Sequence, residues 1–66
     1  MTVIDIKNLQ NRRKALGLSK YKVAKLTGLS RPTIIYAERG ENITIKTYNT
    51  LINLYTRLEE YQYAKH

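Results

Sequence analysis

The chain has 66 residues, no cysteine and a net charge of +7, since 12 lysines and arginines outnumber 5 acids. A chain this short forms one domain at most, and without cysteine it has neither a disulfide framework nor a thiolate metal site. No apolar run approaches the roughly 20 residues that a membrane span needs, and the first residues lack a signal-peptide pattern. We therefore expect a single cytoplasmic domain over residues 1–66.

The positive charge is concentrated in the first two-thirds of the chain. Residues 7–39 contain nine basic residues and one acid, whereas the rest contains three basic residues and four acids. A segment with this balance is expected to face a polyanion such as nucleic acid. A solvated lysine-rich surface, a basic ribosomal segment or a membrane-surface segment gives a similar pattern, so charge alone does not decide.

Three glycines, Gly17, Gly28 and Gly40, divide the chain into four segments with helical periodicity. Each glycine stands where a helical pattern ends, and glycine suits the left-handed conformation that ends a helix. The first helix is predicted from about residue 4 to residue 16. One face of it holds Ile6, Leu9, Arg13 and Leu16, at spacings of three and four residues.

The second helix is predicted over about residues 20–27. Ser19 is a suitable N-cap for it. The apolar side of this helix contains Val23, Ala24 and Leu26. The turn that follows it is short, and Leu29 in that turn is expected to enter the core.

The third helix is predicted to begin near Ser30 and to run to about Arg39, with Ile34 and Ala37 turned inward. Proline is tolerated in a first helical turn, but Pro32 disfavours the helical conformation of the residue before it. The helix therefore starts either directly after Ser30 as N-cap or one residue later.

The fourth helix is predicted to be the longest. Thr44 is its expected N-cap, and no glycine or proline follows Gly40, so the helix can run to about residue 63. Its apolar stripe contains Ile45, Tyr48, Leu51, Ile52, Tyr55 and Leu58. A strand over residues 43–45 is the alternative at its beginning, but it would be short and isolated beside four helical patterns.

The second and third helices with their turn, about residues 20–39, have the pattern of a helix-turn-helix. The residues at its constrained positions resemble those of the lambda-repressor-like, Cro/C1-type helix-turn-helix proteins of the phage-repressor class. In order they are Arg13, Gly17-Leu18-Ser19, Ala24, Gly28-Leu29-Ser30, Ile34, Glu38 and Gly40. The resemblance covers residues 9 to about 58, and it implies a compact all-α domain of four to five helices that binds double-stranded DNA.

The resemblance also implies that Arg13 and Glu38 form a structural pair between the first and third helices. Two departures from the family pattern concern the packing. Such domains usually have five helices, so either the fourth helix is long or a short fifth helix begins near Glu59. The position of Arg12 often carries an apolar residue in the family, and we expect Arg12 to be exposed.

In proteins of the resembling family, the third helix enters the major groove, so its outward residues are the candidates for reading bases. They are Arg31, Pro32, Thr33 and Tyr36. Arginine can donate two hydrogen bonds to guanine, and threonine can offer a hydroxyl or touch a thymine methyl. The alternatives are a phosphate contact or an exposed charge for Arg31, and an aromatic cover on the core edge for Tyr36.

Contacts to phosphate are expected from the starts of three helices, where backbone N–H groups favour an anion. The candidates are Ser19, Lys20, Tyr21, Ser30, Asn42 and Lys46. For each lysine, the alternative is an ordinary solvated side chain.

The sequence therefore predicts a DNA-binding transcriptional regulator, a phage or mobile-element repressor of the Cro type that occludes a promoter. A palindromic operator and a homodimer through Tyr61 and Tyr63 would fit such a repressor. The alternatives are a protein-interaction module, such as an antitoxin or antirepressor, and an architectural or recombination-directing DNA-binding factor. An enzyme, a cofactor and a metal site are not expected, because the only histidine is His66 and no glycine-rich phosphate loop is present.

Overall fold

The fold consists of four α-helices and agrees with the all-α prediction. The computed structural model describes residues 6–41 and 43–64. Its helices are α1 (Ile6–Ala15), α2 (Lys20–Thr27), α3 (Arg31–Arg39) and α4 (Ile45–Ala64). No strand occurs in these described ranges, and residues 43–45 lead directly into α4. The predicted start of the first helix, at residue 4, lies outside the described residues.

Two serine caps fix where α2 and α3 begin. The Ser19 hydroxyl accepts a hydrogen bond from the Lys22 backbone N–H over 3.0 Å. The Ser30 hydroxyl accepts one from the Thr33 backbone N–H over 3.3 Å. Ser30 is therefore the N-cap of α3, and Pro32 lies in the first turn, where its missing N–H removes no intrahelical bond.

The end of α1 is a Schellman motif around Gly17. The Gly17 N–H donates to the Lys14 carbonyl over 3.0 Å, and the Leu18 N–H donates to the Arg13 carbonyl over 3.1 Å. Gly17 has a φ of 71°, which a side chain would strain. Leu18 then packs against the core, as an apolar residue at this position of the motif commonly does.

The core lies where all four helices meet. Its buried residues are Leu9, Val23, Ala24, Ile34, Ala37, Tyr48, Leu51 and Tyr55, and Leu29 of the turn packs against them as predicted. Two residues that the sequence placed on apolar faces are about half exposed: Leu26 is 47% exposed and Ile45 is 53% exposed. Leu26 lies beside an open cleft between α2 and α4, and Ile45 is the first residue of α4, ahead of the turns that pack.

The fourth helix is continuous from Ile45 to Ala64, so the structure adopts the long-helix alternative, and no fifth helix is present within the described ranges. Thr44 caps it, because its hydroxyl accepts from the Thr47 N–H over 3.1 Å. None of the described helices is both long and apolar enough to span a membrane.

The length of α4 explains why the expectation of an exposed Arg12 is wrong. The side chain of Arg12 is only 22% exposed and donates to both carboxylate oxygens of Glu59, over 2.8 and 2.5 Å. It also donates to the Thr56 hydroxyl over 3.0 Å. A long fourth helix thus supplies a polar partner where the family pattern often has an apolar residue.

Candidate nucleic-acid interface

A buried ion pair fixes the orientation of α3 relative to α1. Arg13 Nε donates to Glu38 Oε2 over 2.5 Å, and Arg13 Nη2 donates to Glu38 Oε1 over 3.2 Å. Arg13 Nη1 donates to the Leu18 carbonyl over 2.9 Å, and the two side chains of the pair are only 9% and 5% exposed. Such a bidentate pair resists rotation of the helix that carries Glu38. It also directs the Arg13 guanidinium into the protein and away from any external phosphate.

The outward face of α3 is defined by the two residues that α3 buries, Ile34 and Ala37. With about 100° of rotation per residue, Pro32 lies near the centre of the opposite face and Tyr36 lies about 50° from that centre. Pro32 is exposed, and Tyr36 is 47% exposed. The four candidate base-reading residues thus share one helix, and the first turn carries three of them.

Arg31 lies on one flank of this outward face. Its side chain is exposed, and it has no hydrogen bond or ion pair to any part of the chain that the structure describes. An arginine in this state keeps all five of its N–H donors for an external acceptor. Chemically, it can bind either the O6 and N7 atoms of guanine or a phosphate.

Thr33 lies on the opposite flank and is half-buried. Its hydroxyl is 2.7 Å from the Ser30 hydroxyl, which is also the cap of the helix. A hydroxyl can donate one hydrogen bond and accept others, so a base contact from the Thr33 hydroxyl would share or replace its bond to Ser30 and would leave the N-cap bond from the Thr33 N–H intact. A contact from the Thr33 methyl would leave both bonds intact. The residue spacing alone could not reveal this bond between two side chains.

The candidate phosphate-binding residues differ in how available they are. Ser19 is exposed but caps α2, Lys20 is half-buried, and Lys46 is exposed in the first turn of α4. The Tyr21 ring is 54% exposed, and the Lys25 ammonium lies 5.3 Å from its centroid, within cation–π range. Asn42 lies outside the described residues.

A cleft lies beside the outward face of α3. This cleft was not predicted from the sequence. It is lined by Thr33, Tyr36, Ala37, Glu41, Ile43 and Thr47. Glu41 and Thr47 were not among the predicted site residues. A signal for Glu41 was present in the sequence, since it is an acid directly after the glycine that ends a basic helix-turn-helix. Among the described residues, no group of acids or histidines could hold a metal ion.

A protein-family model described as helix-turn-helix, HTH_3, matches residues 9–57. The matched segment begins in α1, includes all of α2, the turn and α3, and ends within α4. The chain belongs to this Cro/C1-type helix-turn-helix family. Its activity is therefore sequence-specific DNA binding in transcription regulation, and the family is one of regulators and not of enzymes. No solved structure matches the chain.

Proposed function

We propose that this Cro/C1-type protein is a transcriptional repressor of a phage or other mobile element that acts by occluding a promoter. The observation that carries this proposal is Arg31, which is exposed and has no hydrogen bond or ion pair to the described residues, on the first turn of a helix that a buried ion pair holds in place. A rigidly presented arginine is what base recognition in the major groove requires. The protein would act in the cytoplasm, where its target DNA is part of the bacterial nucleoid.

In the proposed complex, the first turn of α3 reads bases. Arg31 pairs with a guanine, and Pro32, which has no donor, packs its ring on a thymine methyl. Thr33 offers its methyl to a thymine methyl or its hydroxyl, which also bonds Ser30, to a base edge. Tyr36, one turn further along, contacts a base edge or the sugar. These contacts give the preference for one sequence over another.

The phosphate contacts position the protein without reading sequence. Ser19, Lys20 and Tyr21 approach the backbone from the start of α2, Ser30 from the start of α3, and Lys46 from the start of α4. Asn42, which lies outside the described residues, is proposed as a further phosphate contact. Because these contacts release counterions, affinity should fall steeply as salt rises.

We further propose that the repressor binds a palindromic operator as a homodimer. Tyr61 borders an apolar cleft that is lined by Leu16, Leu18, Leu58 and Gln62, and it is 59% exposed. Tyr63 is 85% exposed, but a spacing of two residues places it about 200° from Tyr61 around α4. The two tyrosines therefore cannot both occupy the centre of one contact, and we assign Tyr61 to the centre and Tyr63 to the rim.

Selection of bound duplexes from a random library tests this proposal. The expected result is a twofold palindromic consensus with half-sites about 34–36 Å apart and a guanine in each half. Recovery of unenriched sequences would contradict it and would favour the alternative of a protein-interaction module, such as an antitoxin or antirepressor. Tandem cooperative binding with bending would favour an architectural or recombination-directing factor.

A further inference from the structure

Glu41 differs from the other acids in the described part of the chain. Glu38 and Glu59 are bound to arginines, and Glu60 lies near the end of α4. Glu41 is exposed and has no ion pair among residues 6–41 and 43–64. It also borders the same cleft as Thr33 and Tyr36, so a carboxylate lies beside the face that meets DNA.

The backbone fixes Glu41 relative to the recognition helix. The Gly40 N–H donates to the Ala37 carbonyl over 3.1 Å, and the Glu41 N–H donates to the Tyr36 carbonyl over 2.9 Å. With a φ of 77° at Gly40, these bonds form a Schellman motif. The position of the Glu41 backbone therefore moves with α3 when that helix enters a groove.

The end of α3 gives no reason for an acid at this position. The equivalent residue of the motif that ends α1 is Leu18, which packs on the core, and an apolar residue is the common choice there. The carboxyl end of a helix is also the negative end of its dipole, which disfavours a second negative charge. At the end of α3, both considerations favour a residue type other than glutamate for stability.

We propose that Glu41 limits the affinity of the protein for DNA by repelling the phosphate backbone when α3 enters the major groove. The Debye length at physiological ionic strength is about 8 Å, so a carboxylate beside the groove still acts on nearby phosphates. Since phosphate contacts supply nearly all of non-specific binding, the repulsion shortens residence on unrelated DNA. Base contacts set the ranking of sequences, so the ranking stays as it is. This inference rests on the proposed function, because it needs α3 to enter the groove.

The experiment compares Glu41→Gln with Glu60→Gln, an equal loss of charge about 22 Å along α4 from its first residue. Binding to the selected operator and to a random duplex is measured at several salt concentrations, after thermal melting has shown that both variants fold. We expect Glu41→Gln to bind both duplexes about two- to fivefold more tightly at low salt. Its plot of log affinity against log salt should be steeper by up to about 0.9, and Glu60→Gln should match the wild type.

Two results would overturn the proposal. In the first, Glu41→Gln gains no more affinity than Glu60→Gln. In the second, it changes the preference at one base pair and leaves the random duplex unaffected, which would mean that the carboxylate reads a base amino group. Either result with a selective wild-type protein refutes this inference alone, whereas a wild type without selective DNA binding refutes the proposed function as well.

Discussion

Two adjacent arginines of α1 each bind a glutamate, and the two pairs differ in burial and in the helix that they attach. Arg13 attaches α3 through Glu38, and these side chains are 9% and 5% exposed. Arg12 attaches α4 through Glu59, and these side chains are 22% and 41% exposed. The buried pair holds α3, the helix proposed to read DNA, where orientation would decide function. The less buried pair attaches the C-terminal part of a long helix that other contacts already hold.

The difference in burial sets what each pair contributes to stability. A buried charge is costly unless all of its donors and acceptors are satisfied, and removing one partner leaves the other uncompensated. An exposed pair competes with water, is screened by salt, and contributes about 0–1 kcal/mol.

The largest effect is expected from Glu38→Ala. It leaves the Arg13 guanidinium buried with only the Leu18 carbonyl as a partner, and should lower the free energy of unfolding by about 3 kcal/mol. Urea unfolding followed by circular dichroism measures this, with Glu60→Ala as the exposed control. A loss below about 1 kcal/mol would mean that the Arg13 pair behaves like an exposed one.

A double variant, Arg13→Met with Glu38→Leu, shows whether that loss comes from the unpaired charge. Replacing a buried pair with apolar residues of similar volume is often neutral or stabilising. The free energy of unfolding should therefore return close to the wild-type value. If the double variant is as unstable as Glu38→Ala, the loss comes from packing and not from the charge.

A smaller effect of opposite sign is expected from Tyr55→Phe. The Tyr55 hydroxyl is buried and has no hydrogen-bond partner among the described residues. Burial, followed by the nearby charge of Glu38, raises the pKa of Tyr55 to about 12. Removing this hydroxyl should stabilise the fold by about 1 kcal/mol at pH 7, as measured by urea unfolding.

The pH dependence of the same variant has a definite sign. Because the folded-state pKa of Tyr55 lies above the ordinary value of 10, the fold favours the neutral over the ionised form of Tyr55. Ionisation of Tyr55 therefore leaves the wild-type stability unchanged below pH 10 and lowers it as pH rises towards 12. The advantage of Tyr55→Phe should therefore widen between pH 10 and pH 12. A constant difference over that range would contradict the raised pKa.

The smallest effect is expected from Glu59→Gln, at about 0.5 kcal/mol near pH 7 and less in high salt. The hydrogen bond from Arg12 lowers the pKa of Glu59, so its contribution is present above the ordinary carboxyl pKa and is lost on acidification below it. Urea unfolding from pH 7 to pH 3 should show the wild type and Glu59→Gln converging. If Glu59→Gln lowers the free energy of unfolding as much as Glu38→Ala does, the two pairs do not differ in their contribution to stability.

Much of the fold could be predicted because its signals are local. Glycines with positive φ end the helices where the periodicity stops, and Ser19, Ser30 and Thr44 cap the helices that follow them. The partner of Arg12 could not be predicted, since Glu59 lies 47 residues away and reaches α1 only because α4 is continuous. The contact between Arg12 and Glu59 becomes apparent only from the packing of α4 against α1.

For the site, the sequence indicates the helix but not the state of each side chain. The inward positions of Ile34 and Ala37 leave Arg31 and Tyr36 exposed, as the periodicity predicts. The bond between the Thr33 and Ser30 hydroxyls depends on side-chain rotamers, which residue spacing does not specify.

We propose that α3, held by the Arg13 pair, presents Arg31 to a base. The most direct measurement is the binding of wild type, Arg31→Ala and Lys20→Ala to the selected operator and its single-base variants. Arg31→Ala should lose about 1–3 kcal/mol of discrimination at one or two positions, whereas Lys20→Ala should weaken binding to all duplexes about equally and reduce the salt slope by about 0.9. If Arg31→Ala leaves the ranking of duplexes unchanged, Arg31 does not read a base and the account is wrong.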